Sequence, residues 1–317
     1  MRPFRFLADD IGGRRDAAGI GEHARLTESL GYSALVIPDH LVDQLAPLPY
    51  LAVAAAATER LRIGTFVLNN DLRHPAVLAQ DLATLDAMSG GRLEIGIGAG
   101  WNVAEYRAIG ISFEPAARRS ARLAEAVTVL KGCFAGQAFD FAGEHYRLTG
   151  HEGRPLPVQQ PHPPLLIGGG GRRTLTLAAR EADIVGLAPR ISWGGGGPMV
   201  DPASLTVEAA DEKVAWVREA AGDRFASLEL NLYPSQFPPL ITDRARAEAT
   251  DRAAAITART GRQITADALL DSPHQFLGTV DAICDKLIGL RERLGVSSFM
   301  LGDAVEMAPI VERLAGR

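Results

Sequence analysis

The 317-residue sequence predicts a single α/β domain, 1–317, of the (β/α)8 or TIM-barrel class, with insertions before the fifth and after the sixth strand. Two observations predict it. Short, nearly continuous apolar runs alternate about eight times with longer helical patterns, the mark of parallel βα units whose strands are covered by helices. Polar residues and glycines then recur directly after those runs, where a barrel gathers its functional groups. A doubly wound open sheet would also alternate strands and helices, but eight strands suit the barrel better, and barrels of this length commonly form one unit.

In order, the strand-like runs are 4–8, 34–38, 61–68, 93–98, 165–168, 184–187, 228–232 and 298–301. Helical patterns fall at 21–30, 48–58, 76–88, 120–134, 172–180, 207–220, 244–260 and 280–294, with a further short one at 308–314. His74-Pro75 opens the third helix and Ser89-Gly90-Gly91 closes it, since glycine accepts the left-handed φ of a helix end. Two stretches break the alternation. Residues 137–148 read as two short strands around a glycine turn leading into a proline-rich segment, and 190–202, with Gly194 to Gly197 in a row, reads as a loop, either a lid over a ligand or a plain excursion.

Composition narrows the partners. A net charge of -5 gives no broad basic surface for nucleic acid, so a small molecule is the expected ligand. No window approaches the apolar length of a membrane span, and the N-terminal residues lack a signal-peptide core, which reads as a cytoplasmic protein. Cys133 and Cys284 lie far apart without CxxC spacing and read as buried thiols. The histidines lack close ligand spacing, so no metal is expected.

Five strand ends carry candidates: Asp39 and His40 after ALVIP; Asn69, Asn70 and Asp71 after IGTFVL; Gly98 to Asn102 after LEIGI; Gly168, Gly169, Gly170 and Gly171 after LLI; and Asp303 after FMLG. Each alone could be turn chemistry; their shared placement carries the inference. The four glycines followed by Arg172 and Arg173 at a helix start suit a phosphate, because backbone N–H groups and the helix dipole point at the anion. His40 suits acid/base work or charge stabilisation near neutral pH. His74 reads as a cap. Gly98 and Gly100 leave room for a flat ring that Trp101 can line, while Glu105 reads as a solvated helix residue. There is no GxSxG elbow, P-loop or convincing dinucleotide fingerprint.

The blocks LGYSALVIPDHL, LRIGTFVLNNDLRHPAVLAQDLATLDAMSGGRLEIGIGAGW and LLIGGGGRRTLTLAAREADIVGL resemble the luciferase-like flavin and F420-dependent oxidoreductases, in order and spacing, through nearly the whole chain. The resemblance implies an enzyme transferring a hydride between coenzyme F420 and a small organic substrate, with an FMN-dependent monooxygenase as the alternative. It implies catalytic roles for His40 and Asp39, a bulge with a cis peptide at Phe66-Val67, and cofactor contacts from Phe66, Val67, Asn69, Gly98, Gly100, Trp101, Gly168, Gly169, Gly170, Gly171 and Arg172. A homodimer is the assembly it implies. Some deazaflavin sugar-phosphate dehydrogenases resembling this chain carry a glutamate acid where Trp101 stands. That departure favours an apolar substrate over a sugar phosphate.

Overall fold

Apolar runs of four to six residues form eight parallel strands: β1 (Arg5–Asp9), β2 (Ala34–Ile37), β3 (Arg62–Thr65), β4 (Leu93–Gly98), β5 (Leu165–Gly169), β6 (Ile184–Leu187), β7 (Glu229–Leu232) and β8 (Ser298–Gly302). The computed structural model describes residues 1–10, 16–194 and 197–317, and no side chain from 193 to 198. Its main sheet runs β3-β2-β1-β8-β7-β6-β5-β4, and the pairing of Ile63 with Leu93 joins its two ends. The fold is the expected (β/α)8 barrel. Its helices are α1 (Ala17–Ser29), α2 (Pro47–Ala57), α3 (Pro75–Met88), α4 (Val103–Ala108), α5 (Ala116–Phe134), α6 (Arg172–Glu181), α7 (Val207–Ala221), α8 (Ala245–Thr260), α9 (Ala266–Asp271), α10 (Val280–Leu294) and α11 (Ala308–Leu314). Among the described residues no helix is long and apolar enough to cross a membrane.

The chain divides into two compact units, one made of Asp10–Glu28 and Ala34–Ile167, the other of Met1–Asp9, Ser29–Ser33 and Gly168–Arg317. In the first, β2 pairs with β3 from Ala34↔Arg62 to Ile37↔Thr65, and β4 pairs with β5 from Ile95↔Leu165 to Ile97↔Ile167. Every residue of β2 and β4 is buried. Glu94, buried on β4, is paired by Arg62 at 2.5 Å, so its charge is not left alone in the interior. Helix α5 buries Leu123, Ala126, Val127, Leu130 and Phe134, the spacing of one helical face. Proline at its first turn and a His74 Nδ1 that accepts the Ala76 N–H at 3.3 Å open α3 as expected, and Gly90 and Gly91 leave it at φ +65° and +81°.

The long third run does not stay continuous. It stops at Thr65 and resumes at Leu68–Asn69, which pairs with Ile97 and Gly98, and the intervening Phe66-Val67 peptide is cis. Gly96 accommodates this segment, since a Cβ there would lie 2.0 Å from the Thr65 carbonyl oxygen. The insertion before β5 forms two antiparallel strands, Phe139–Ala142 and Arg147–His151. Glu125 on α5 fastens their turn by accepting the backbone N–H groups of Glu144, His145 and Tyr146 at 2.8 to 3.1 Å.

In the second unit β1 pairs with β8 and β6 with β7. The 190–202 stretch, read from sequence as a loop, contains an antiparallel pair, Ile191–Gly194 with Gly197–Val200. Gly195 and Gly196 lie outside the described residues. Helix α9 and the two-stranded Leu240–Ile241 and Leu277–Gly278 sheet are additions that the helical and strand periodicities did not reveal. Both cysteines are buried thiols.

Candidate active site

The end of β2 hands the chain to Asp39 and His40, which point to different partners. Asp39 is 4% exposed. Its carboxylate accepts two guanidinium N–H bonds from Arg73, at 2.6 and 3.2 Å, and the backbone N–H of Asn69 at 3.0 Å. Three donors engage it, so it joins the ends of β2 and the third run. His40 instead meets Glu105: Nδ1 lies 2.9 Å from Glu105 Oε1. A carboxylate only accepts, so the proton of this bond sits on Nδ1, and a neutral imidazole then offers Nε2 as the acceptor.

Glu105 corrects the sequence reading. It was expected to be solvated, yet its side chain is 6% exposed. The reason is helix α4, a short element that the sequence patterns did not mark. Asn102 caps this helix by accepting the Ala104 N–H through Oδ1 at 3.3 Å, and its Nδ2 donates to Glu105 Oε1 at 2.7 Å. One asparagine thus starts the helix and orients the carboxylate that orients the histidine. The available signal was the pair of polar residues three apart in NVAE, a capping spacing.

Trp101 precedes this cap and is 46% exposed, with its ring edge-on to His40 at 5.5 Å between centroids. Leu41 and Val42 are also exposed, at 51% and 57%. The imidazole is thus partly exposed, with the Trp101 ring edge-on beside it.

Asn69 is buried, and its Oδ1 accepts from the Asp71 N–H at 3.1 Å and from the Tyr106 hydroxyl at 2.9 Å. Tyr106 also donates toward Asp71 Oδ2 at 3.0 Å; burial, then the neighbouring Asp71 charge, pushes its phenol pKa well up, so it remains a donor. Arg119 donates to the carbonyls of Ala99, at 3.0 Å, and Gly100. These bonds shape the β4 end. A Cβ on Gly100, at φ +71°, would lie 2.0 Å from the Tyr106 hydroxyl, and one on Gly98 would lie 2.9 Å from Val67. Protein packing thus accounts for both glycines, where the sequence reading had reserved their space for a ring.

In the second unit, the four-glycine segment follows the same logic in part. A Cβ on Gly169 would press on Thr174 at 2.7 Å and one on Gly170 on the Pro189 carbonyl oxygen at 2.3 Å. Gly171 has nothing within 4 Å of that position, and it starts α6 without any side-chain cap. Unpaired first-turn N–H groups at such an opening suit an anion. The Arg172 guanidinium is more than half exposed and paired with Glu219 at 2.8 Å, so it is committed to a surface ion pair. Among the described residues no cluster of metal-ligating groups occurs.

The chain belongs to the luciferase-like monooxygenase family, whose model matches residues 2–286. It is 36% identical over 128 residues to an FMNH2-dependent dimethylsulfone monooxygenase of Pseudomonas putida, covering 40% of this chain and 35% of that protein. It is 35% identical over 166 residues to an F420-dependent glucose-6-phosphate dehydrogenase of Microbacterium testaceum, covering 50% and 48%. The chain therefore matches half or less of the length of these curated relatives. The coenzyme F420-dependent tetrahydromethanopterin reductase of Methanopyrus kandleri superposes with a TM-score of 0.75 at 18% identity, over 98% of this chain and 97% of that one, which shows the shared fold.

Proposed function

We propose that the chain is an F420-dependent oxidoreductase moving a hydride between the deazaflavin and a small apolar organic substrate. The single observation that carries this reading is the His40–Glu105 pair, which leaves Nε2 unencumbered next to the half-exposed Trp101. Coenzyme F420, when bound, supplies the hydride chemistry, and the protein supplies orientation and proton handling.

The residues fit such a group. Phe66, Val67, Asn69 and Trp101 would meet its ring system in the first unit. Taken by itself, the second unit offers Gly171 and the opening N–H groups of α6 as a place for an anion such as a phosphate. Gly98, Gly100, Gly168, Gly169 and Gly170 would act by shaping backbone, and Arg172 would contribute only by leaving Glu219.

His40 Nε2 accepts a proton from a substrate hydroxyl, or returns one to a carbonyl oxygen, while Glu105 stabilises the imidazolium so formed. Trp101, Leu41 and Val42 present apolar surface to the organic part of the substrate and keep water from the transferring atoms. Asp39 has its role in holding the backbone N–H of Asn69 and the Arg73 guanidinium rather than in moving protons. A cytoplasmic homodimer completes the reading.

Titrating the purified protein separately with F420 and FMN, by fluorescence, tests the cofactor. Selective F420 binding, followed by substrate-dependent loss of F420 absorbance across a panel of apolar alcohols and ketones, is expected. Selective FMN binding with oxygen uptake would replace this reading with a monooxygenase, the chemistry of the Pseudomonas putida relative. His40→Ala should lower turnover far more than cofactor affinity.

A further inference from the structure

Only three of the 33 basic residues are lysines: Lys131, Lys213 and Lys286. Arginine stays protonated, so these three are the only long basic side chains able to present a nitrogen lone pair. Lys286, on α10, lines a surface cavity of about 440 Å³ together with Thr242, Asp243, Asp271 and Thr279. Its Nζ donates to the carbonyls of Leu270, at 2.6 Å, and Gln275, at 2.7 Å. Two acceptors satisfy the two N–H bonds of a neutral amine and leave its lone pair uncommitted. Desolvation lowers the Lys286 pKa to about 7, against the opposing pull of Asp271. The other charged or titratable groups facing it are Asp243 across the cavity and His274, which burial keeps neutral.

We propose that Lys286 is an imine-forming amine and that this cavity takes small neutral aldehydes. The lone pair adds to the carbonyl carbon, the carbinolamine loses its oxygen as water with the two nitrogen-bound hydrogens, and C=N replaces C=O with no change in oxidation state. Asp271 and Asp243 offset the positive charge of the protonated imine, and they disfavour anionic electrophiles. The adduct keeps at most one N–H, so either the Leu270 or the Gln275 carbonyl loses its partner. That loss reaches further, because Gln275 also donates to the Ser235 carbonyl and accepts from Arg252, and the adjoining Ser272 hydroxyl donates to the Leu205 carbonyl.

The test is reductive trapping of the whole protein with propanal and cyanoborohydride, mapped by peptide mass spectrometry after cleavage at arginine. At pH 7 Lys286 should label at least tenfold faster than Lys131, because about half of an amine titrating near 7 is unprotonated there. Its rate should level off above about pH 8. Lys286→Arg should abolish this label alone. Equal labelling of Lys286 and Lys131, or Lys286 labelling confined to high pH, would overturn the proposal. Neither outcome touches the F420 reading, which concerns other residues.

Discussion

Replacing Glu105 by Gln changes charge at constant shape and so tests what orients His40. In the native site Glu105 Oε1 accepts from His40 Nδ1 at 2.9 Å and from Asn102 Nδ2 at 2.7 Å. A hydrogen bond to a charged group contributes about 1.5–3 kcal/mol and a neutral one about 0.5–1.5, so the substitution removes about 1–1.5 kcal/mol of preference for the Nδ1–H imidazole. At about 1.4 kcal/mol per factor of ten, the ratio of Nδ1–H to Nε2–H tautomers should fall roughly tenfold. Long-range ¹H–¹⁵N correlation spectra of labelled protein read both ring nitrogens directly, without any substrate. The native spectrum should show Nδ1 protonated, and the variant a mixture. An Nε2-protonated His40 in the native protein, or identical spectra for the two proteins, would refute the argument. Once a substrate is known, His40→Ala combined with Glu105→Gln should be no slower than His40→Ala alone, since Glu105 acts through the imidazole.

Three further outcomes follow from the packing and the charges. Gly170→Ala should cost about 1–3 kcal/mol in a denaturant melt, as overpacking against the Pro189 carbonyl does, and Gly171→Ala less than about 1 kcal/mol, since its Cβ meets nothing; the reverse order would contradict the placement of these glycines. Arg73→Met strips two of the three donors from buried Asp39 and should destabilise by about 2–4 kcal/mol, an effect that Asp39→Asn in the same chain should largely relieve. His274, fully buried with its pKa lowered to about 3, mainly by desolvation and then by Lys213, stays neutral in the folded protein while the unfolded chain takes up a proton near pH 6.5. Stability from this group is therefore full above pH 6.5 and falls by about 1.4 kcal/mol per unit as pH drops toward 3. His274→Gln should remove that slope, seen as unfolding curves at pH 7 and pH 5 whose difference shrinks by about 2 kcal/mol.

The strands were legible in the sequence because parallel strands buried on both sides are written as apolar runs, and seven of the eight keep their expected ends within a residue or so. The third does not, and the cause is local: the chain is interrupted at Phe66-Val67, where apolar residues continue but pairing stops, so hydrophobicity alone cannot reveal the break. The short helices α4 and α9 escaped for a related reason. Six residues span less than two turns, too few for a 3.6-residue period to declare itself.

That limit decides which part of the site was legible. A strand end marks a position along the chain, and position sufficed to propose His40, Asp39, Asn69 and Trp101 as candidates. Partnership is a matter of direction, which adjacency in sequence does not fix once the chain has left the strand. Asp39 and His40 look like a pair in sequence, yet one turns to Arg73 and the other to Glu105, 65 residues away. A neighbouring acid in sequence is therefore poor grounds for assigning a histidine its carboxylate. The better signal is an acid one helical turn beyond a capping asparagine after another strand end, because the cap fixes the helix and the helix aims the acid. Asn102 and Glu105 meet that condition, and Asn102→Ala should consequently loosen His40 although the two side chains share no direct bond.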